Sequence, residues 1–273
     1  MILYPNAKIN IGLKILNKRP DGYHNISSII FPIQLSDILE FIPSSDKELK
    51  FMQTGISIKG DVEDNLCVKV YRFFRKEYHI PILKIHLHKN IPVQAGLGGG
   101  SSDAAFFIKG LNDFFSLNLS VEKMKTIALK FGSDCPFFIE NKPALVSGRG
   151  EILQTISLRM EQYNLIIVKF PVAISTAEAY ASIIPKENYR DIMALVKQPI
   201  GKWKDKIKND FETFAFLKYP ELKHGKNKLL KAGAVFAQMT GSGSAIYGIF
   251  EKDRSDIDFY FPSAKILMTG FKH

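Results

Sequence analysis

At 273 residues the chain suits roughly two domains of about 150 residues each, and its 46% hydrophobic and 23% charged residues exclude a disordered chain. With 19 glycines and 13 prolines, near average usage, and no fixed-period repeat, collagen-like and solenoid readings also fall away. Thirty-seven basic against 27 acidic residues give a net charge of +10, which points to an anionic partner: nucleic acid, a membrane surface or a phosphorylated metabolite.

From the start of the chain Ile9, Ile11, Leu13 and Ile15 alternate, which is strand periodicity, with Lys8, Asn10, Gly12 and Lys14 on the opposite face. Lys8 and Asn10 stand where a secretory leader would carry its apolar run, and no run approaches about 18 uninterrupted apolar residues, so neither export nor membrane spanning is expected. Residues 37–42 and 83–88 read as further strands. Asp64 or Asn65 can cap a helix with the stripe Leu66, Val70, Phe73 and Phe74. The two cysteines, Cys67 and Cys135, make no paired spacing, so a reducing, cytoplasmic setting fits better than a disulfide framework or a thiolate metal site. Ser101 or Ser102 can cap a helix carrying Ala105, Ile108 and Leu111. Ser120 caps the next one, whose stripe is Met124, Ile127, Ala128 and Phe131 and whose left-handed stop is Gly132. Residues 137–139 then read as a short strand.

A boundary near residue 155 divides the chain into 1–155 and 156–273. The second part reads as a strand at 164–170, helices at 176–183, 210–217 and 222–231, strands at 235–239 and 245–250 around a turn at 240–244, a helix near 254–260 and a strand at 264–269. This is the β-α-β-β-α-β order of a ferredoxin-like split unit with extra helices in its first crossover, and the chain as a whole is α+β. Between residues 186 and 231 basic residues outnumber acidic ones, a solvated helical face that can also attract anionic substrates. His86 and His88 share a strand face without a third ligand at a sensible spacing, which does not make a zinc site.

The strongest local signal is Pro92-Val93-Gln94-Ala95-Gly96-Leu97-Gly98-Gly99-Gly100-Ser101-Ser102-Asp103. It follows an expected strand and opens an expected helix, so four glycines in five residues bring backbone close to the unpaired N–H groups and positive end of a helix. That combination binds phosphate. It lacks both the Gly-Lys-Ser/Thr ending of a Walker loop and the third glycine and acidic ribose partner of the dinucleotide fingerprint.

This loop resembles the phosphate-binding loop of the GHMP kinases, the superfamily of galactokinase, homoserine kinase and mevalonate kinase. Pro5-Asn6-Ala7-Lys8-Ile9-Asn10 and Met239-Thr240-Gly241-Ser242-Gly243-Ser244-Ala245 resemble the superfamily's two flanking motifs, in the right order. Arg19-Pro20-Asp21-Gly22-Tyr23-His24, the long glycine loop, Phe131-Gly132-Ser133-Asp134-Cys135-Pro136-Phe137-Phe138, Ser147-Gly148-Arg149-Gly150-Glu151 and Asn209-Asp210-Phe211-Glu212 are most similar to the 4-diphosphocytidyl-2-C-methyl-D-erythritol kinases of the non-mevalonate isoprenoid pathway.

The resemblance implies a ribosomal-S5-domain-2-like N-terminal ATP domain, a ferredoxin-like C-terminal substrate domain, and transfer of the ATP γ-phosphate to the acceptor's 2-hydroxyl with Mg²⁺. It gives Asp134 the task of removing the hydroxyl proton or of orienting the hydroxyl, with Lys8 as its cation. It places ATP at Asn65, Lys89, Pro92, Gly96, Leu97, Gly98, Gly99, Gly100, Ser101, Ser102, Asp103, Gly241 and Ser242. Asn10 and Thr176 contact the acceptor, and Tyr23, His24 and Tyr180 hold its cytosine. Asn10 follows Lys8 by two residues, which puts both on one strand face. Ser102 is a candidate for the metal, and water-mediated binding would leave no trace in the sequence. The partners so implied are small molecules, neither nucleic acid nor membrane, for a monomer or homodimer. Two alternatives are another small-molecule GHMP kinase, of homoserine or mevalonate type, and a basic nucleic-acid-binding protein gripping backbone phosphate with the glycine loop.

Overall fold

The N-terminal alternation forms a 13-residue strand, β2 (Asn6–Lys18), in the computed structural model, which describes residues 1–58, 60–183, 185, 191–252, 261 and 264–272. β1 (Ile2–Leu3) precedes it. After it come β3 (His24–Ser36), β4 (Ile38–Pro43), β5 (Lys50–Gly55), α1 (Leu66–Tyr78), β6 (Leu83–Lys89), α2 (Gly99–Phe114), α3 (Val121–Leu129) and α4 (Cys135–Glu140). The rest is β7 (Ala144–Ser147), β8 (Ile152–Thr155), β9 (Asn164–Lys169), α5 (Thr176–Ala181), α6 (Ile192–Val196), α7 (Phe211–Lys218), α8 (Pro220–Lys231), β10 (Phe236–Met239), β11 (Ala245–Phe250) and β12 (Lys265–Gly270).

By packing, the chain forms two units that interleave in sequence. The first is Met1–Ala7, Leu35–Val93 and Gly98–Asn141; the second is Lys8–Gln34, Gln94–Leu97 and Lys142–His273. A single cut near residue 155 does not describe this division, because β2 and β3 share a sheet with β7 and β8 and so group with the later part of the chain.

The first unit has a four-stranded sheet ordered β1-β4-β6-β5, in which only β5 and β6 run parallel. α1 starts where expected, with Asn65 Oδ1 accepting from the Cys67 N–H at 2.9 Å, and buries Cys67, Val68, Val70, Tyr71 and Phe74. Ser120 caps α3 through the Lys123 N–H at 3.2 Å. Three expectations are corrected here. Neither Ser101 nor Ser102 caps α2: the cap is Gly98, at φ 72°, and both serines lie inside the helix. α3 ends at Leu129 on a right-handed Lys130, so Gly132 is not its left-handed stop. Residues 137–139 belong to the helix α4, not to a strand, with Pro136 pre-setting its first turn. Cys135 to Ile139 are all buried, and so continuous an apolar run carries no period that tells helix from strand.

The second unit has two sheets. One is ordered β2-β3-β7-β8. The other, β10-β11-β9-β12, is the expected ferredoxin-like arrangement, with β9 and β11 central and α5 to α8 in the first crossover. The helix expected near 254–260 lies outside the described residues. β2 departs from a half-buried strand: Lys8 and Asn10, placed by alternation on a polar face, are each 4% exposed. Polar side chains so deep need partners, and those partners build the site.

Candidate active site

In the second unit the first half of the glycine loop is hung from its neighbours by backbone. The Ala95 carbonyl accepts from the Ala245 N–H at 3.2 Å, and the Leu97 carbonyl accepts from the Lys8 N–H at 2.9 Å. The Gly96 carbonyl accepts from Thr240 Oγ1 at 3.1 Å. A Cβ on Gly96, whose φ is +74°, would lie 2.1 Å from the Thr240 carbonyl oxygen, so only glycine fits. Thr240 Oγ1 also accepts from the Asn10 N–H at 3.0 Å. Lys8 Nζ donates to Asn10 Oδ1 at 2.5 Å, and Asn10 Nδ2 donates to Ser28 Oγ at 2.8 Å. The structure thus brings together four of the expected residues, Lys8, Asn10, Gly96 and Leu97, and closes them against the Thr240–Gly241 turn.

In the first unit the second half of the loop opens α2. A helix leaves its first N–H groups without intrahelical partners, and here no side chain caps them. Among the described residues Ser102 Oγ, wholly buried, and Asp103 Oδ1 also lack a hydrogen-bond partner. The turn therefore carries helix N–H groups with no capping side chain and the Ser102 hydroxyl with no partner among the described residues, and uncapped N–H donors are what a phosphate requires.

Beneath it Lys89, expected near the ATP base and phosphates, is 1% exposed and pairs with Asp103 at 2.6 Å and with Asp37. Asp37 in turn accepts from the N–H groups of Asn90 at 2.6 Å and Ile91 at 2.8 Å. Burial pulls the Lys89 amine down, but the charges of Asp103 and Asp37 outweigh it and hold the amine above its ordinary range. Burial pushes Asp103 well above the usual carboxylate range. Lys89 and Asp103 therefore back the loop instead of lining a solvent-facing surface. Asp37 carries no sequence signal, since an aspartate opening a strand reads as a surface residue.

Asp134 is the half-buried N-cap residue of α4, and its carboxylate is not spent on capping that helix. Asn65 is the cap of α1. In the second unit His24 stacks on Tyr180, with ring centroids 5.4 Å apart and planes 20° from parallel, and Phe211 packs edge-on to Tyr180 at 4.9 Å. Thr176 Oγ1 is 3.0 Å from Ser242 Oγ. Tyr23 is not in this stack: it is exposed, with the Arg149 guanidinium 4.9 Å over its ring. Phe211 and Arg149 belong to the Asn209–Glu212 and Ser147–Glu151 motifs, but no sequence spacing signals either contact. His86 Nε2 and His88 Nδ1 both meet Thr54 Oγ1, at 2.8 and 2.9 Å, and among the described residues no group of three His, Cys, Asp or Glu could hold a metal.

The family pattern for the GHMP kinases N terminal domain matches residues 65–142, and that for the GHMP kinases C terminal matches residues 192–259. A 4-diphosphocytidyl-2-C-methyl-D-erythritol kinase of Bacteroides thetaiotaomicron is 46% identical over 255 residues, 93% of each chain. The chain belongs to the 4-diphosphocytidyl-2-C-methyl-D-erythritol kinase family of the GHMP kinases. A member from Bacteroides fragilis is 42% identical over the whole of both chains. A crystal structure of a 4-(cytidine 5'-diphospho)-2C-methyl-D-erythritol kinase superposes with a TM-score of 0.86 at 25% identity, covering both chains completely.

For this GHMP kinase the two family patterns hold the whole glycine loop, Asp134 and the 240–244 turn, but not the acceptor-side residues. Lys8, Asn10, Tyr23, His24, Thr176 and Tyr180 all fall outside both matched ranges. What the residues present offer a nucleotide is consistent: uncapped helix N–H groups, glycines where a side chain would intrude, and the orphaned Ser102 hydroxyl.

Proposed function

We propose that this chain transfers the γ-phosphoryl group of ATP to the 2-hydroxyl of 4-diphosphocytidyl-2-C-methyl-D-erythritol, a step of the methylerythritol phosphate route to isoprenoids. The observation that carries the acceptor assignment is the stacked His24–Tyr180 pair, in a chain 46% identical to a curated kinase of that name. Two parallel rings offer flat faces to a base, and such stacking contributes about 1–3 kcal/mol per base. Tyr23 supplies a further aromatic face, and Asn10 and Thr176 hydrogen-bond the acceptor's hydroxyls.

Gly96 to Ser102 cradle the phosphates with backbone N–H groups, and Gly241 and Ser242 complete the nucleotide's surroundings. Asp134 orients the acceptor hydroxyl or takes its proton, and Lys8 is the second catalytic side chain. Mg²⁺, when bound with ATP, neutralises charge on the phosphate oxygens, and Ser102 Oγ is the side chain that would face it. The partners are small molecules, and the setting is the cytoplasm. No helix among the described residues is long and apolar enough to cross a membrane. ADP release with a panel of acceptors tests the reading: turnover with the cytidylyl-methylerythritol compound far above that with homoserine or mevalonate is expected, and preference for either of the latter overturns it.

A further inference from the structure

The Asn209-Asp210-Phe211-Glu212 segment takes no part in the chemistry above, yet each side chain reaches a different element of the second unit. Asp210 accepts from the Ile15 N–H at 3.0 Å and from Lys14 Nζ at 2.7 Å. Glu212 accepts from the Met239 N–H at 2.9 Å and from Lys226 Nζ at 2.7 Å. Phe211 sits edge-on to Tyr180. Asn209 is the most committed of the four. It is 3% exposed, its Nδ2 donates to the carbonyls of both Met239 and Gly241 at 2.8 Å, and its Oδ1 accepts from the Phe211 N–H at 3.0 Å.

The two carbonyls held by Asn209 flank Thr240, whose hydroxyl bonds the Gly96 carbonyl and receives the Asn10 N–H. A Cβ added to Gly241 would lie 3.2 Å from Gly96 Cα and 3.6 Å from Asn10 Oδ1, so this turn touches a phosphate-loop residue and an acceptor-side residue together. Its backbone is fixed from behind by one carboxamide with both donors spent. No other residue type of that size offers two donors and one acceptor in this geometry.

We propose that Asn209 is a positioning residue: it clamps the Thr240–Gly241 turn, and through it sets the register of Gly96 against Asn10. The proposal rests on the kinase reading for its effect on turnover, but not for its effect on the turn itself.

The test is Asn209→Asp, which keeps the shape but aims a carboxylate at two carbonyls. It is paired with Thr240→Val and with the double variant. Misplacement of about 1 Å at a reacting geometry lowers rate by roughly 100-fold, so Asn209→Asp should lose about that in kcat. KM for ATP and for the acceptor should stay within about threefold, the signature of an interaction needed in the transition state. Because both changes break one clamp, the double variant should lose little more than Asn209→Asp alone. Multiplicative losses, or unchanged kcat in a folded variant, overturn the proposal. Hydrogen exchange reads the clamp without activity: the Asn10 amide should exchange faster in Asn209→Asp while the Ile167 amide in central β9 stays protected. Unchanged Asn10 exchange also overturns it. A wild-type chain that phosphorylates no acceptor refutes the kinase reading, and the exchange result then decides the clamp by itself. Should Asn209→Asp fail to fold, Asn209→Ser, with one donor left, carries the same measurements.

Discussion

Two glycine turns of this protein are held by opposite means. In the first unit the turn into α2 rests on charge, with Lys89 between Asp37 and Asp103 and all three nearly inaccessible. In the second the Thr240–Gly241 turn itself is held by neutral groups, Asn209 through the Met239 and Gly241 carbonyls and the Thr240 hydroxyl through the Gly96 carbonyl, with the Glu212 carboxylate reaching only the Met239 N–H at its edge. A buried ion cluster binds its members tightly but leaves any survivor uncompensated when one is lost, and it answers to pH. A neutral network gives direction without that sensitivity. Breaking one of its bonds costs about 1–3 kcal/mol for the group left unpaired.

Asp134 belongs to neither support, so its substitution separates chemistry from architecture. Asp134→Asn should lower turnover by about 10²–10⁴-fold while ATP binding and thermal stability stay near wild type; turnover within a few-fold of wild type would remove it from the mechanism. Lys89→Met should break the charged support, destabilising by about 3–5 kcal/mol because the Asp37 and Asp103 carboxyl groups stay buried with no cation between them. Urea unfolding measures this, and a loss under about 1 kcal/mol would mean the triad is not the support it looks like. His24→Ala should raise KM for the cytidylyl acceptor well above any change in KM for ATP, in line with about 1–3 kcal/mol of stacking. Equal changes in both would break the acceptor assignment.

The smallest effect sharpens the contrast between charge and neutrality. The Asp103 carboxyl is raised by burial, so the folded state keeps a proton that the unfolded chain releases near pH 4. The unfolded state then binds fewer protons, and stability falls as pH rises from about 4 toward the folded pKa, at up to about 1.4 kcal/mol per pH unit. The stability of Asp103→Asn relative to wild type should therefore improve over that window, whereas the side chains of Asn209 and Thr240 do not titrate and contribute no such slope. A pH-independent difference between Asp103→Asn and wild type would contradict the raised carboxyl.

Much of this was legible in the sequence, and the rest was hidden for physical reasons. The caps Asn65 and Ser120 were readable because a side-chain oxygen three residues or fewer before a donor is a local event. The four strands of the ferredoxin-like sheet and the helices of its first crossover were readable because alternating and helical periods switch cleanly between them. The start of α2 was misplaced because a glycine can begin a helix with no capping side chain, leaving donors open for a ligand. Burial on both faces of β2 was invisible because Lys8 and Asn10 satisfy each other inside the protein. Asp37 and Asn209 gain their roles from partners some thirty to fifty residues away, and no spacing rule reports those.

The most direct test of the account is ³¹P NMR of the chain incubated with ATP and 4-diphosphocytidyl-2-C-methyl-D-erythritol. A new phosphomonoester resonance should grow in step with ADP while the acceptor's diphosphate resonances persist. Loss of ATP to ADP and inorganic phosphate with no new phosphomonoester, or no consumption of ATP at all, would contradict it.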